Sequence, residues 1–512
     1  MVARTFASVI VGVDSQLIEV ETDIAPGLPG VTIVGLADTA VNEARERVKS
    51  AMANSQVSWP KTRVTIALLP ASVRKRGSGL DAAIAASILA ASAEVPIEAV
   101  SRSLVIGELG LDGALRAVPG VIAAALAAKT AGLQRVLVPV HNAAEAALVP
   151  DIQVGAINDL RQLIRVLRGE EALPEPPDGG RQNRGLSAPD LADVKGQQEA
   201  RYAIEVAAAG GHHLSMIGTP GVGKTLLAER LPGLLPPLDD QAALETTAIA
   251  SIAGRPNPGY LQRLPPFEAP HHTASQVSIT GGGQAGRVRM GAMTLAHHGV
   301  LFLDEAPEFD RRVLEAMRQP LESGIVRVHR AEFAVHLPAR FHLVIASNPC
   351  PCGQGVGRGI HCTCSPMQRR RYSSRLTGPL LDRIDVRLTL TKPSVADLYE
   401  QGESSAAVAQ RVQLARERSA FRWRERRRRD GGRVRTNADM LGPELRRHFP
   451  PTESASRLLM QALDSGTLSM RGADRVLRIA WTLADLSQRE QPSLDDIGYA
   501  MSLRGQSQQG AA

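Results

Sequence analysis

Aromatic side chains are scarce, with Phe, Trp and Tyr making up 3% of 512 residues. The cores must therefore be built mainly from Ala, Val, Leu and Ile, which suits helical and α/β layers. Cysteine is scarcer still. The four present, Cys350, Cys352, Cys362 and Cys364, fall in one short segment, which excludes a disulfide-stapled scaffold and in a reducing cytosol points to a metal site. No run approaches 18 apolar residues, and the apolar stretch after Arg4 is broken by Asp14. Neither a membrane span nor a signal peptide is expected, and the chain reads as cytoplasmic. Gly and Pro are spread rather than clustered in repeats, and 44% apolar with 22% charged residues excludes wholesale disorder.

The length corresponds to two to four domains of ordinary size. A formal charge of +7, with Arg far outnumbering Lys, is compatible with a polyanionic partner such as nucleic acid without requiring one. Residues 1–170 alternate between period-two apolar runs (7–13, 17–24, 31–36, 64–69, 104–111 and 136–140) and helical runs (40–54, 81–93 and 121–131). That pattern predicts a mixed α/β domain. Residues 171–189, rich in Glu, Pro and Gly, read as a linker. Residues 190–392 form a second α/β segment holding all the strong motifs, and 393–504 turn helical, with a basic stretch at 411–435 and an amphipathic set at 452–503. Residues 505–512 read as a flexible tail.

The strongest motif is Gly218-Thr219-Pro220-Gly221-Val222-Gly223-Lys224-Thr225, placed between the apolar run 214–217 and the helical run 226–231. This is the strand, glycine loop and helix context of a phosphate-binding loop for ATP. Backbone N–H groups and the helix N-terminus would face the phosphates, Lys224 would reach the β and γ phosphates, and Thr225 would offer its hydroxyl to Mg²⁺. Some 80 residues on, the apolar run 300–303 ends in Asp304 and Glu305. The first acid is expected to serve Mg²⁺ and the second to polarise the attacking water. The run 341–346 leads to Asn348, a candidate for orienting that water. Cys350-x-Cys352 and Cys362-x-Cys364 supply four thiolates, enough for one closed structural Zn²⁺ site, with His361 as a substitute ligand; the alternative is reduced, unliganded cysteines or a redox-sensitive pair.

These motifs resemble the AAA+ superfamily and, within it, the magnesium-chelatase-like family of the YifB and ComM type. The resemblance is carried by Asp193-Val194-Lys195-Gly196-Gln197, Ala269-Pro270-His271-His272-Thr273-Ala274-Ser275, Leu295-Ala296-His297-His298-Gly299, Asn348-Pro349-Cys350-Pro351-Cys352-Gly353 and Gly378-Pro379-Leu380-Leu381-Asp382-Arg383-Ile384-Asp385. It implies an AAA+ motor followed by a helical lid. It also implies an insertion over 255–286 and a hairpin over 324–337, both facing the pore of a homo-oligomeric ring, a hexamer. Arg383 matches the arginine donated to a neighbour's ATP, and Arg471 the second-sensor arginine, with Arg475 a rival. Where the family usually has Pro-Gly-Glu, this chain has Met290-Gly291-Ala292.

The resemblance further implies a Lon-protease-like α+β fold at the N-terminus, here without a catalytic dyad. Leu80 or Asp81 stands at the nucleophile place and Ile122 at the lysine place, leaving Ser78 an outside candidate. The implied activity is ATP hydrolysis coupled to translocation on branched or single-stranded DNA, or to branch migration, in recombination or DNA uptake. Arg327, His329 and Arg330 on the hairpin and the 411–435 stretch fit that partner. The alternative is a chaperone-like motor that remodels a protein, as magnesium chelatase does. A nucleotide-dependent scaffold is disfavoured by the set of Asp304, Glu305 and Arg383.

Overall fold

Alternating small and β-branched residues at the N-terminus form two long antiparallel strands, β1 (Val2–Val11) and β2 (Asp14–Ala25). The computed structural model describes residues 2–75, 77–177, 188–255, 259–284, 287–330, 333–355, 362–376, 380–395, 397–399, 401–428 and 431–505. The chain continues through β3 (Gly30–Val34), β4 (Arg63–Leu69), β5 (Ser103–Val105), a small hairpin of β6 (Glu108–Leu109) and β7 (Leu115–Arg116), β8 (Arg135–Pro139) and β9 (Gln153–Ile157). Seven of these strands make one mixed sheet of order β3-β4-β2-β1-β5-β8-β9. The strand expected over 104–111 is divided into β5 and β6. The Gly107 N–H bonds to the Gly79 carbonyl and the Leu109 N–H to the Asp81 carboxylate, which draws the backbone out of the sheet.

Helices Thr39–Asn54, Asp81–Ala91 and Leu160–Arg168 cover one face of this sheet, and Val121–Thr130 with Val140–Ala146 cover the other. The helix Asp81–Ala91 is buried on every side. Its small side chains let it lie close to its neighbours, which is how a chain poor in aromatics reaches native packing density.

The second sheet is built from β10 (Leu214–Gly218), β11 (Phe267–Glu268), β14 (Val300–Leu303), β17 (His342–Ser347) and β18 (Val386–Leu390), in the order β11-β14-β17-β10-β18. Every pairing in it is parallel. Helices cover both faces, so β14 is buried at all four residues. Two hairpins hang from it, β12 (Gly282–Gln284) with β13 (Arg287–Arg289), and β15 (Ile325–Arg330) with β16 (Phe333–Pro338). In the second hairpin Val326, Val328, Val335 and Leu337 are buried, while Arg327, His329 and His336 face outward. Period-two patterning thus gives the hairpin one apolar and one polar face, the latter carrying Arg327.

The helices after residue 393, chiefly Ser405–Arg422, Glu453–Asp464, Met470–Leu486 and Leu494–Ser502, share a core with the parallel sheet, in which Val344 and Leu388 lie in one cluster with Trp423 and Trp481. Trp423 is fully buried, donates from Nε1 to Asn437 Oδ1 at 2.8 Å and meets Phe449 edge-on at 4.6 Å between ring centres.

Among the described residues the N-terminal unit meets the second through the start of the helix Val121–Thr130 and through the β1–β2 turn. The Gly120 N–H donates to Ser251 Oγ at 3.1 Å, and Ala248 enters the core beneath Val121. In the β1–β2 turn, a Cβ at Gly12 would lie 2.4 Å from Val335 Cγ1, so the hairpin's apolar face seats where a side chain is missing. Among the described residues no helix is long and apolar enough to cross a membrane.

Trp423→Phe keeps most of the packing but leaves buried Asn437 without its donor. The variant is expected to lose about 1–3 kcal/mol of stability, read as a lower denaturant midpoint by circular dichroism.

Candidate nucleotide site

Because the strands of the second sheet run parallel, the loops after β10, β14 and β17 emerge at one edge. After Gly218 the chain turns through Gly221 and Gly223, both left-handed at φ +75° and +97°, and enters the helix Lys224–Leu234. The Lys224 ammonium folds back over the loop and donates to the carbonyls of Gly218 at 2.8 Å and Thr219 at 3.1 Å, and to Asn348 Oδ1 at 3.0 Å. Burial lowers its pKa, with Asp304 and Glu305 acting in the opposite sense. A cation held among neutral acceptors in a partly dry loop is well placed to transfer its hydrogen bonds to phosphate oxygens.

At the end of β14 the two carboxylates diverge. Asp304 Oδ2 accepts from the Thr225 hydroxyl at 2.8 Å, and its Oδ1 accepts from the Glu305 N–H at 2.9 Å. Glu305 adopts a left-handed backbone at φ +47°, which swings its carboxylate to the other side, 3.3 Å from His272 Nδ1. Such a conformation is costly for a residue with a side chain and recurs where a side chain must be aimed. The threonine hydroxyl and the Asp304 carboxylate form a hard oxygen pair of the type Mg²⁺ takes alongside phosphate. Glu305 remains exposed and available to a water.

Lys224, Thr225, Asp304, Glu305 and Asn348 therefore converge as their order on the strands leads one to expect. Arg383 and Arg471 are elsewhere. They line a cavity of about 1000 Å³ bounded by residues at the starts of the parallel strands, among them His213, His342 and Asp385. This lies at the opposite edge of the sheet, one strand length or on the order of 15 Å from the phosphate loop. Arg383 donates to Glu322 Oε1 at 2.5 Å. Arg475, the rival of Arg471, pairs with the buried carboxylate of Asp385 and donates to the Arg383 carbonyl at 3.1 Å. Burial would raise the Asp385 pKa, yet Arg475 and His212 hold it well below the usual carboxylate range. Arg471, in the first turn of the helix Met470–Leu486, is exposed on the cavity wall.

The cysteines gather as their clustering suggests. Cys350 Sγ lies 3.4 Å from Cys352 Sγ and 3.6 Å from Cys362 Sγ, Cys352 and Cys362 are 3.7 Å apart at sulfur, and the Cys352 N–H points to Cys364 Sγ at 3.4 Å. Four sulfurs around Zn²⁺ at about 2.3 Å would stand roughly 3.8 Å from one another, so the donor set fits one tetrahedral ion. His361, the substitute ligand, lies outside the described residues.

A second group, Glu245 with His297 and His298, also has metal-like proximity. His297 Nδ1, however, accepts the Arg340 N–H at 3.0 Å, so in its neutral form the ring carries its proton on Nε2, toward Glu245. That nitrogen is a donor, and burial lowers the His297 pKa to about 4. The group joins the helix Asp240–Ile252 to the segment leading into β14.

In the N-terminal sheet domain Ser78 donates to Glu108, and the ammonium of the fully buried Lys75 bonds to the Pro70 carbonyl rather than to Ser78. Asp81 is buried against Arg47, and Ile122 is a core residue. Three contacts had no sequence reading. These are His272 on Glu305, whose signal was the His271-His272 pair, the Asp385–Arg475 pair, and Tyr372, whose hydroxyl stands near the Asn348 backbone.

Comparison with known proteins matches residues 190–398 to the family model described as "Magnesium chelatase, subunit ChlI". Residues 20–142 match "Subunit ChlI of Mg-chelatase", and 402–504 match "Magnesium chelatase, subunit ChlI C-terminal". The chain is 48% identical over 507 residues to an uncharacterised protein of Mycobacterium tuberculosis, covering 98% of each. It is 40% identical to YifB of Escherichia coli, covering 96% of this chain and 95% of the relative. It is 38% identical to competence protein ComM of Haemophilus influenzae, covering 98% of each.

Glu305→Gln is expected to keep ATP affinity and lower turnover by about 10²-fold or more, the usual effect of removing a general base. Lys224→Ala should weaken binding itself. Titration with a fluorescent ATP analogue and phosphate release measure the two effects, and wild-type turnover in Glu305→Gln would overturn the assignment.

Proposed function

Because the chain belongs to the magnesium-chelatase-like AAA+ family of YifB and ComM, we propose that it is a ring-forming ATPase whose hydrolysis drives translocation on DNA or migration of a DNA branch, in recombination or the processing of incoming DNA. In this reading Gly218, Thr219, Pro220, Gly221, Val222 and Gly223 cradle the phosphates and Lys224 holds the β and γ groups. Thr225 and Asp304 hold Mg²⁺, which supplies charge neutralisation when bound. Glu305 polarises the attacking water and Asn348 orients it.

One observation carries the ring. The cavity with Arg383 and Arg471 opens at the strand edge opposite the phosphate loop, so these arginines serve the ATP of an adjacent copy, in a hexamer. Arg475 holds that edge together through Asp385. The four cysteines hold a structural Zn²⁺. The N-terminal unit is a Lon-like fold without peptidase chemistry, a reading favoured by the occupied side chains of Ser78 and Lys75.

The outward face of the β15–β16 hairpin, with Arg327, His329 and His336 exposed, supports DNA as partner. Contacts there would fall on phosphates, giving affinity without sequence preference and a steep loss with salt. Much of the 411–435 stretch is turned inward. Arg411 pairs with Glu205 at 2.7 Å, Arg416 donates to the Ala208 carbonyl at 2.9 Å and Arg422 pairs with Asp485 at 3.0 Å. The hairpin is thus the better candidate. The name of the Haemophilus relative, a competence protein, favours a role in DNA uptake.

DNA, branched DNA most of all, is expected to accelerate ATP hydrolysis, and Arg327→Ala with Arg330→Ala should remove that stimulation while leaving basal hydrolysis nearly intact. No stimulation of the wild type by any DNA would favour remodelling of a protein partner instead. Arg383→Ala should bind ATP yet fail to hydrolyse it, and mixing it with Lys224→Ala should recover part of the activity through interfaces that pair one intact loop with one intact arginine. Normal hydrolysis by dilute Arg383→Ala would exclude the trans role.

A further inference from the structure

The cysteine cluster is not remote from the chemistry. Asn348, whose side chain meets the Lys224 ammonium, stands two residues before Cys350. At the first half of the cluster the chain makes a tight turn, closed by the Gly353 N–H on the Cys350 carbonyl at 2.9 Å. Gly353 sits there with φ +76°, and a Cβ on it would lie 2.6 Å from both Cδ and Cγ of Pro220 in the phosphate loop. A Cβ on Gly355 would lie 2.9 Å from Cys350 Sγ. The turn is therefore wrapped around the sulfurs on one side and pressed on the phosphate loop on the other. The chain leaving the cluster returns to the same place. The helix Pro366–Ser374 begins two residues after Cys364, under a Ser365 capping box, and brings Tyr372 near the Asn348 backbone.

We propose that the four-cysteine knuckle is a positioning element for ATP hydrolysis: by fixing the 348–355 turn against Pro220 and the helix that bears Tyr372, a metal held by Cys350, Cys352, Cys362 and Cys364 sets Asn348 in front of the γ phosphate. The proposal rests on the zinc reading above. The physical reason is that thiolates at this spacing repel one another unless a cation lies between them. The ion converts an adverse cluster into a stiff point of the loop, and among the described residues the loop reaches the nucleotide site through Asn348 on Lys224 and Gly353 on Pro220. Binding of ATP rests on the backbone amides of the phosphate loop, on Lys224 and on the Thr225–Asp304 pair, none of which the knuckle supplies. Hydrolysis needs a water oriented to within a fraction of an ångström, and a misplacement of about 1 Å costs on the order of 100-fold. Loosening the knuckle should therefore lower kcat far more than it weakens binding.

The test uses the full-length protein. Metal analysis without chelators first measures zinc per chain, and a fluorescent ATP analogue measures affinity independently of turnover. Gly353→Ala leaves all four thiols in place while forcing the turn off Pro220. It is expected to retain zinc, to keep affinity for the analogue within about threefold and to lose kcat about 100-fold. Asn348→Ala should give the same pattern, and the double variant should be no worse than either single one, because residues acting through one contact are not additive. Cys364→Ser should lose zinc together with turnover. If that variant does not fold, stripping zinc from the wild type with a chelator replaces it. Additive losses in the double variant would show that Gly353 acts by another path and overturn the proposal. Full turnover after zinc is stripped would overturn it while leaving the zinc site itself standing. Absence of zinc from the wild type would overturn the zinc reading and the proposal with it.

Discussion

The buried carboxylate of Asp385 is the point on which the arrangement of this molecule turns. It lies between the last parallel strand and the helix Met470–Leu486, takes Arg475 and accepts from His212 Nδ1 at 3.2 Å, while His212 Nε2 reaches Thr482 Oγ1 at 2.8 Å. A charge taken out of water is tolerated only with its partners in place. The segment 383–385 therefore cannot move independently of the C-terminal helices. One edge of the sheet is fixed to the helical layer by charge, and the other edge is left to the loops that follow β10, β14 and β17. Binding groups and arginines are thereby separated by the length of a strand.

Much of this arrangement is legible in the sequence because it is written in contiguous strand-and-loop units. A buried apolar run followed by glycines and Lys224, or by Asp304 and Glu305, needs no long-range information. In a parallel sheet all such ends meet at one edge, so Asn348 could be added from its place at the end of a third apolar run. Arg471 and Arg475 lie one helical turn apart, so their spacing gives no means of telling which is exposed. The choice depends on Asp385, 90 residues from Arg475 in sequence. The expected strand over 104–111 was misread for a similar reason, since the acceptors that draw it from the sheet are Gly79 and Asp81.

The basic stretch shows the same limit from the side of composition. A run of arginines has one appearance in sequence whether it faces a polyanion or clamps helices together. Here the partners of Arg411 and Arg422, Glu205 and Asp485, lie 206 and 63 residues away. The hairpin itself is implied only by the resemblance, but once its strands are paired the alternation of Val326 and Val328 with Arg327 and His329 assigns its two faces locally.

The seat of Val335 on Gly12 bears on how the two units are held together. The hairpin's apolar side belongs to the core of Leu301, Leu303 and Leu343, and Val335 in addition meets the β1–β2 turn at Gly12. A methyl group added at Gly12 would therefore act as a wedge, prising the turn from the hairpin without touching the loops that follow β10, β14 and β17.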